Sequence, residues 1–354
     1  MVFHFHMKIS MLVSLMTAFS IMIGNAGELV EVHQDHTLDH ITFGSCLKNP
    51  SGGAIMDQVA KLQPDLFVWL GDNIYVDNIY VDTNDRTERF DELYTKLGNN
   101  PRFKKLKSTC PNLAIWDDHD YGNNNRDRSY PLKSEAKKAF AKFWQIPGSS
   151  PIWKRDGIYR AHEYGPADKR VQIILLDGRW NLDKQNTTEK DSYLGAEQWA
   201  WLEKILMRPA KVRVICSGVQ VVKINTMQNS WEMWGRHPEE RTRLFELITR
   251  HKINGVVFIS GDMHVAEIFC TTKTAYPFYD VTASGMDIAH PHSGKFLTEN
   301  ADFKPVGPPL LDKNFGGIQI EWGANPKLTL ELRNSEGKRF HSHSVPLSAL
   351  QFKP

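Results

Sequence analysis

The sequence predicts an α/β protein, built as one domain whose strands deliver polar side chains to a shared edge. Three observations carry this. Five short apolar runs, at 66–70, 112–116, 171–176, 212–222 and 256–260, have the composition of strands buried on both faces. Segments with a helical apolar stripe lie between them. Four of the five runs stop abruptly at a carboxylate, at Asp72, Asp117, Asp177 and Asp262. In open α/β sheets the carboxyl-terminal edge of the strands is where ligands bind.

The chain has 354 residues, of which 41% are apolar, enough for one large domain with a sizeable core. It shows no internal repeat, low-complexity tract or linker. The net charge of +2 comes without a basic block, so neither nucleic acid nor a membrane surface is an expected partner. Met7-Lys8, the apolar run Ile9 to Ile23 and the small residues Gly24 to Gly27 form the pattern of a secretory signal peptide. The run is short against the ~20 apolar residues of a membrane span. Residues 1–26 are therefore expected to be a signal peptide and 27–354 the mature domain. That makes the protein secreted, extracellular or lumenal, with no transmembrane segment after signal removal. Asn186-Thr187-Thr188 is an acceptor sequon, so an N-glycan at Asn186 is expected if the source is eukaryotic. Four cysteines are too few for a disulfide scaffold. Cys110 and Cys270 could pair, whereas Cys216 reads as a buried small hydrophobe.

Taken in order, Ile41 to Cys46 reads as a strand entering a turn, and Ala54 to Leu62 as a short helix. With the strand at 66–70 they form a βαβ unit. Gly71 lets the chain turn tightly, so that Asp72 and Tyr75 emerge where the strand ends. After a polar loop at 76–85 comes a helix over about 86–97, striped by Phe90, Leu93, Tyr94 and Leu97. The run at 112–116 opens into Asp117-Asp118-His119-Asp120-Tyr-Gly-Asn123-Asn124-Asn125, the densest group of oxygen ligands in the chain. A helix over about 132–145 follows, stopped by Pro147-Gly148. The run at 171–176 ends in Asp177-Gly178-Arg179. Arg179 there could hold a phosphate two oxygens at a time, or could make a surface salt bridge. A helix at 196–207 precedes the run at 212–222, which leads to a Trp-rich loop at 231–234. The next helix starts near Pro238, and the last of the five runs leads into Gly261-Asp262-Met263-His264. There the Gly-Asp step recurs, with Asp262 and His264 able to reach one site. Tyr279 to Met286 reads as a strand and turn. Gly317–Trp322 and Leu328–Leu332 read as a closing hairpin at a sheet edge.

Cys46, Asp72, Tyr75, Asp117, Asn124, Asp262 and His264 thus come from four separate segments to one edge. Any one of them could be an ordinary loop residue. Together they are a metal-ligand set, with thiolate and phenolate suited to a trivalent or thiophilic ion. Carboxylates gathered in a buried site call for a cation. A metal pair would neutralise phosphate oxygens and generate hydroxide near neutral pH, and Arg179 could add a fixed charge.

Gly44-Ser-Cys46, Gly71-Asp-Asn-Ile-Tyr75, Trp116-Asp-Asp-His-Asp-Tyr-Gly-Asn-Asn124, Leu176-Asp-Gly-Arg179 and Gly261-Asp-Met-His264 together resemble the alkaline phosphatase D family, the PhoD-like metallophosphatases. The resemblance runs from about Ile41 to Gly285. It implies a four-layer αββα sandwich of the metallophosphatase type, and a site holding iron (Fe3+) and calcium (Ca2+). By motif position Cys46, Asp72 and Tyr75 resemble the iron ligands, with Asp262 added. Asp117, Asn124 and His264 resemble calcium or phosphate-site residues. Asp117, Arg179 and His264 are the expected catalytic residues. The implied activity is hydrolysis of phosphate mono- or diesters by a metal-activated hydroxide, with phosphate esters as the partners. Some family members carry a β-rich domain ahead of the catalytic one, and Gly44-Ser-Cys46 follows the signal segment too closely here to leave room for it. The competing readings are a phospholipase D-like diesterase on the same site and a non-catalytic secreted metal-binding protein.

Overall fold

The computed structural model describes residues 30–77, 87–224, 232–290 and 302–353. The expected signal segment at 1–26, most of the 76–85 loop and Trp231 lie outside these. The first half of the chain runs β1 (Val30–His33), β2 (His40–Gly44), α1 (Ile55–Leu62), β3 (Leu66–Leu70), α2 (Glu88–Asn99), α3 (Pro101–Thr109), β4 (Asn112–Ile115), α4 (Asp118–Tyr121), α5 (Lys133–Phe143), β5 (Arg160–Tyr164) and β6 (Val171–Leu175). Then come α6 (Ala196–Leu206), β7 (Val212–Ser217), α7 (Pro238–Arg250), β8 (Val256–Ser260), β9 (Ala266–Thr271), β10 (Phe278–Ala283), β11 (Lys304–Pro305), β12 (Asn314–Glu321), β13 (Lys327–Asn334) and β14 (Arg339–Pro346).

The strands form two sheets. An eight-stranded sheet has the order β1-β5-β6-β7-β8-β10-β9-β11, and a six-stranded sheet the order β14-β13-β12-β2-β3-β4. The β2-α1-β3 unit is parallel, as expected, with Phe43 opposite Val68. β3-β4 and β6-β7-β8-β10 are parallel too, so the strands that precede the acidic turns share direction within each sheet.

The layering follows from side-chain alternation. On β3, Leu66, Val68 and Leu70 enter the apolar cluster shared with the eight-stranded sheet. Phe67 and Trp69 point the other way, into a second cluster with Met56, Phe90, Phe103 and Phe140 of α1, α2, α3 and α5. The other outer layer is α6 and α7, which bury Trp199, Leu202, Leu244 and Ile248 against the eight-stranded sheet. The result is the expected αββα order. Trp69 is fully buried and its indole N–H donates to Asn112 Oδ1 at 2.8 Å, so truncation to Ala would cost about 3–5 kcal/mol.

Several elements differ from expectation. α3 is an additional helix: Pro101 starts it and Asn100 caps it, accepting from Arg102 N at 2.9 Å. It buries only Phe103 and Leu106, too few to give a legible stripe. The closing hairpin is a three-stranded meander, and its first strand is not at the edge but pairs antiparallel with β2. The run at 212–222 is a strand only to Ser217. Cys110 and Cys270 do not pair; all four cysteines are free and buried. Among the described residues no helix is long and apolar enough to cross a membrane.

Candidate metal centre

The backbone at the strand ends is tightly specified. Gly71 follows β3 with φ +96°, and a Cβ there would lie 2.5 Å from Asp117 Cβ. Gly218, after β7, would bring a Cβ to 2.5 Å from Asp117 Oδ1. The two glycines let Asp117 enter the cleft between the sheets. Around it, four non-glycine residues hold left-handed backbone: Cys46 (φ 63°), Asp72 (φ 53°), Asp262 (φ 67°) and His264 (φ 55°). Each such residue costs roughly 1–3 kcal/mol, and such strain concentrates at functional sites.

Their side chains converge. Cys46 Sγ lies 3.6 Å from Asp72 Oδ2, and the Tyr75 hydroxyl donates to that same oxygen at 3.0 Å. Cys46, Asp72 and His264 present ligand atoms within 4.8 Å of one another. So do Asp117, Asp118 and Asp262, and so do Asp72, Asp118 and His119. Asp72 and Asp118 each belong to two of these groups. Asp72 Oδ1, Asp117 Oδ2, Asp262 Oδ2 and His264 Nδ1 are buried without a hydrogen-bond partner. Buried polar atoms are nearly always paired, so four orphaned lone pairs in one cleft fit a cation-binding site.

The electrostatics agree. Burial pushes the Asp72 and Asp262 carboxyls well above the usual range, and neighbouring carboxylates add to the shift. Burial likewise raises the Cys46 thiol and the Tyr75 phenol. Asp117 is pushed up to about 7 by burial, against the pull of Arg179. Burial also works to raise Asp118, but His119 and Arg179 hold it at about 2. Burial takes His264 down to about 3, leaving a neutral imidazole suited to ligation. A metal ion would supply the charge that this set of acids lacks.

Further contacts hold these side chains in place. Asp120 accepts from the backbone amides of Asn73 at 3.0 Å, Ile74 at 3.3 Å and Asp117 at 3.0 Å, tying the turn after β3 to the turn after β4. Asp77 sits 2.7 Å from His119 Nδ1, and the His119 ring stacks on Tyr75 at 4.1 Å. Arg179 is 1% exposed; its Nε donates to Asp117 Oδ1 at 2.6 Å and its Nη1 pairs with Glu232 Oε2 at 2.6 Å. Lys184 also pairs with Glu232. The salt bridge that the sequence allowed for Arg179 is made, but buried rather than on the surface. Its Nη2 has no hydrogen-bond partner and lies 3.9 Å from Asp118 Oδ1.

Cys46, Asp72, Tyr75, Asp117, Asp262 and His264 are thus brought together, with Arg179 behind Asp117. Asn124 is not drawn in: it is exposed, and meets the site through its backbone amide, which donates to Asp77 at 2.7 Å. Distance groups His264 with Cys46 and Asp72, and Asp262 with Asp117 and Asp118, the reverse of the division implied by motif position. Asp118, His119 and Glu232 were not singled out from the sequence. The first two lie inside the acidic motif, which was signal enough; Glu232 carries no local signal.

A model of the PhoD-like phosphatase family matches residues 41–290, well over half of the chain. Alkaline phosphatase D of Bacillus subtilis (strain 168) is 26% identical over 268 residues, covering 63% of this chain and 45% of that protein. The chain therefore spans less than half the length of this relative. Among solved structures, that of PhoD superposes with a TM-score of 0.65 at 17% identity, over 88% of this chain and 68% of that one. GAP50, described as the anchor in the inner membrane complex of Plasmodium, gives 0.56 at 12% identity, over 90% of each chain. A dimetal phosphatase from Danio rerio gives 0.51 at 14% identity, over 90% of this chain and 100% of that one. At these identities the structural likenesses speak for the fold.

Proposed function

The chain belongs to the PhoD-like phosphatase family, and from that membership we propose that it is a secreted, metal-dependent phosphoesterase that hydrolyses phosphate mono- or diesters. The observation that carries the proposal is the set of orphaned buried ligand atoms on Asp72, Asp117, Asp262 and His264. On this reading Cys46, Asp72 and Tyr75 would hold a ferric ion together with His264. Asp117, Asp118 and Asp262 would hold calcium, for which carboxylate oxygens are suited. Asn124 stays a calcium candidate on motif position alone. Bound there, the ions would neutralise phosphate oxygens and lower the pKa of water.

The chain's own residues do the rest. Asp117 divides its oxygens, Oδ1 accepting from Arg179 and Oδ2 remaining free for an ion. Arg179 positions Asp117 and Glu232, and its unpartnered Nη2 is the edge left to meet a phosphate oxygen. The adjoining cleft is lined by Lys184, Tyr193, Arg236 and His237, which supply positive and aromatic surface for the ester's other group. Secretion rests on the signal-like segment, with residues 27–354 as the mature domain. An N-glycan at Asn186 belongs to the same proposal; that side chain is half-buried and its Nδ2 donates to Asp183 Oδ2 at 2.9 Å.

The test is elemental analysis and a visible spectrum of one sample, followed by assay on an aryl phosphate monoester and a diester. Iron with calcium, a broad visible band that Tyr75→Phe removes, and turnover are expected. Turnover of phospholipid diesters alone would favour the phospholipase D-like reading. Bound metal without turnover of any ester would make the protein a metal-binding one.

A further inference from the structure

Away from the segments that build the metal centre, the start of the described chain carries a second group of ligands. Glu31 and His33 are two residues apart on β1, so their side chains leave the same face. Glu31 is the Cα partner of His162 on β5. Glu31, His33 and His162 present ligand atoms within 4.8 Å of one another.

His162 is 3% exposed, yet both its ring nitrogens are buried without a hydrogen-bond partner, and so is His33 Nε2. The nearest approach is His162 Nδ1 to Glu31 Oε2, at 3.3 Å but without hydrogen-bond alignment. A buried structural histidine normally satisfies its nitrogens, and His162 satisfies neither. The rings are also fixed in orientation. His33 stacks on Tyr164 at 4.6 Å and lies nearly parallel to His162 at 6.0 Å, and His36 meets Tyr164 edge-on. Such packing holds the nitrogens in place before any ligand arrives.

We propose that Glu31, His33 and His162 form a second metal site that takes a late first-row divalent ion, zinc above all, and pins the edge strand β1 to the eight-stranded sheet. Two imidazoles and one carboxylate are a borderline donor set of the kind zinc accepts, whereas calcium and magnesium prefer all-oxygen sites. Arg160, two residues before His162 on β5, is a neighbouring positive charge; its Nη2 donates to Ala114 O at 2.9 Å and its Nε is buried without a partner. Among the described residues β1 has four residues and one hydrogen-bonding neighbour, so a metal tie has a mechanical use there.

The experiment uses the untagged full chain with its catalytic centre already loaded, titrated with Zn2+ against a chromophoric chelator. Wild type is expected to bind one Zn2+ more than either His33→Gln or Glu31→Gln, each variant weakening that event at least tenfold. Ester hydrolysis and iron content should stay unchanged in both. Zn2+ should raise the melting temperature of wild type by a few degrees and leave the variants unmoved. Glu31 is half exposed, so Glu31→Gln keeps the test usable if the histidine variant fails to fold. Equal zinc stoichiometry in wild type and variants, or X-ray absorption of the added zinc without two imidazole ligands, overturns the proposal.

Discussion

Removing the Arg179 side chain should destabilise the metal-free protein by about 3–5 kcal/mol at pH 8, the usual result of breaking a buried ion pair from one side. Two contacts are lost, Nε to Asp117 Oδ1 and Nη1 to Glu232 Oε2, both at 2.6 Å, and both carboxylates are left in a buried setting. The loss should shrink as pH falls. Asp117 is already pushed up to about 7 with Arg179 in place, and removing the guanidinium raises it further. A carboxyl raised above its unfolded value keeps its stability at low pH and loses it as pH rises through the folded pKa. In Arg179→Ala that loss is larger than in wild type, so the gap between the two should be narrower near pH 5, where only the Glu232 contact counts, than at pH 8. The assay is urea unfolding with chelator at both pH values, with Glu232→Gln completing a double-mutant cycle. The two substitutions should be non-additive, because Glu232→Gln removes one of the charges that Arg179 neutralises. A deficit below about 1 kcal/mol at pH 8, a deficit independent of pH, or strict additivity would refute the reasoning. Arg179→Ala should also slow ester hydrolysis, by ~2–5 kcal/mol of activation free energy.

Asp72→Asn should abolish retention of both metals and activity together, since Asp72 belongs to two of the ligand groups; elemental analysis after gel filtration checks this. Asp120→Ala leaves the amides of Asn73, Ile74 and Asp117 without their acceptor, so it should cost about 1–3 kcal/mol per stranded group and weaken metal binding although Asp120 is not a ligand. Its signature is an unfolding midpoint that falls in chelator as well as in metal. His237 is lowered to about 4, by burial first and then by Arg236 and Lys184. Its stabilising contribution is present above the ordinary imidazole value near 6.5 and is lost as pH falls towards 4, up to ~3 kcal/mol. His237→Gln should therefore flatten the stability profile between pH 6.5 and 4.

Much of this was legible because the signals are local. Gly71 and Gly261 sit where apolar strands stop, and the side chains just beyond them could be named from the chain alone. β2, α1 and β3 were equally plain, each with its own period. What stayed hidden depends on contacts made through space. Glu232 meets Arg179 from the segment between β7 and α7, far from Arg179 in sequence. β5, Arg160–Tyr164, mixes charged and aromatic residues and declares itself a strand only once β1 and β6 flank it. β14 is exposed at most positions, so its alternation had no apolar half to read. Glu31 and His33 lie far from His162 in sequence, and only the β1–β5 register joins them. Asn124 differs in the opposite sense: its motif position marked it, but in the fold it is exposed and reaches Asp77 only through its backbone amide.

The left-handed backbone at Cys46, Asp72, Asp262 and His264 bears on how this protein can be improved. Glycine at any of the four would relieve roughly 1–3 kcal/mol of strain, against ~0.5–1 kcal/mol of extra chain entropy. At positions 72 and 262 it would also delete a buried acid. On the proposed reading of the site, a library sorted for heat resistance in chelator should thus enrich glycine at 46, 72, 262 and 264, and its hardiest members should be inert. Stability engineering of this chain has to hold those four codons fixed and look for its gains on the outer helices.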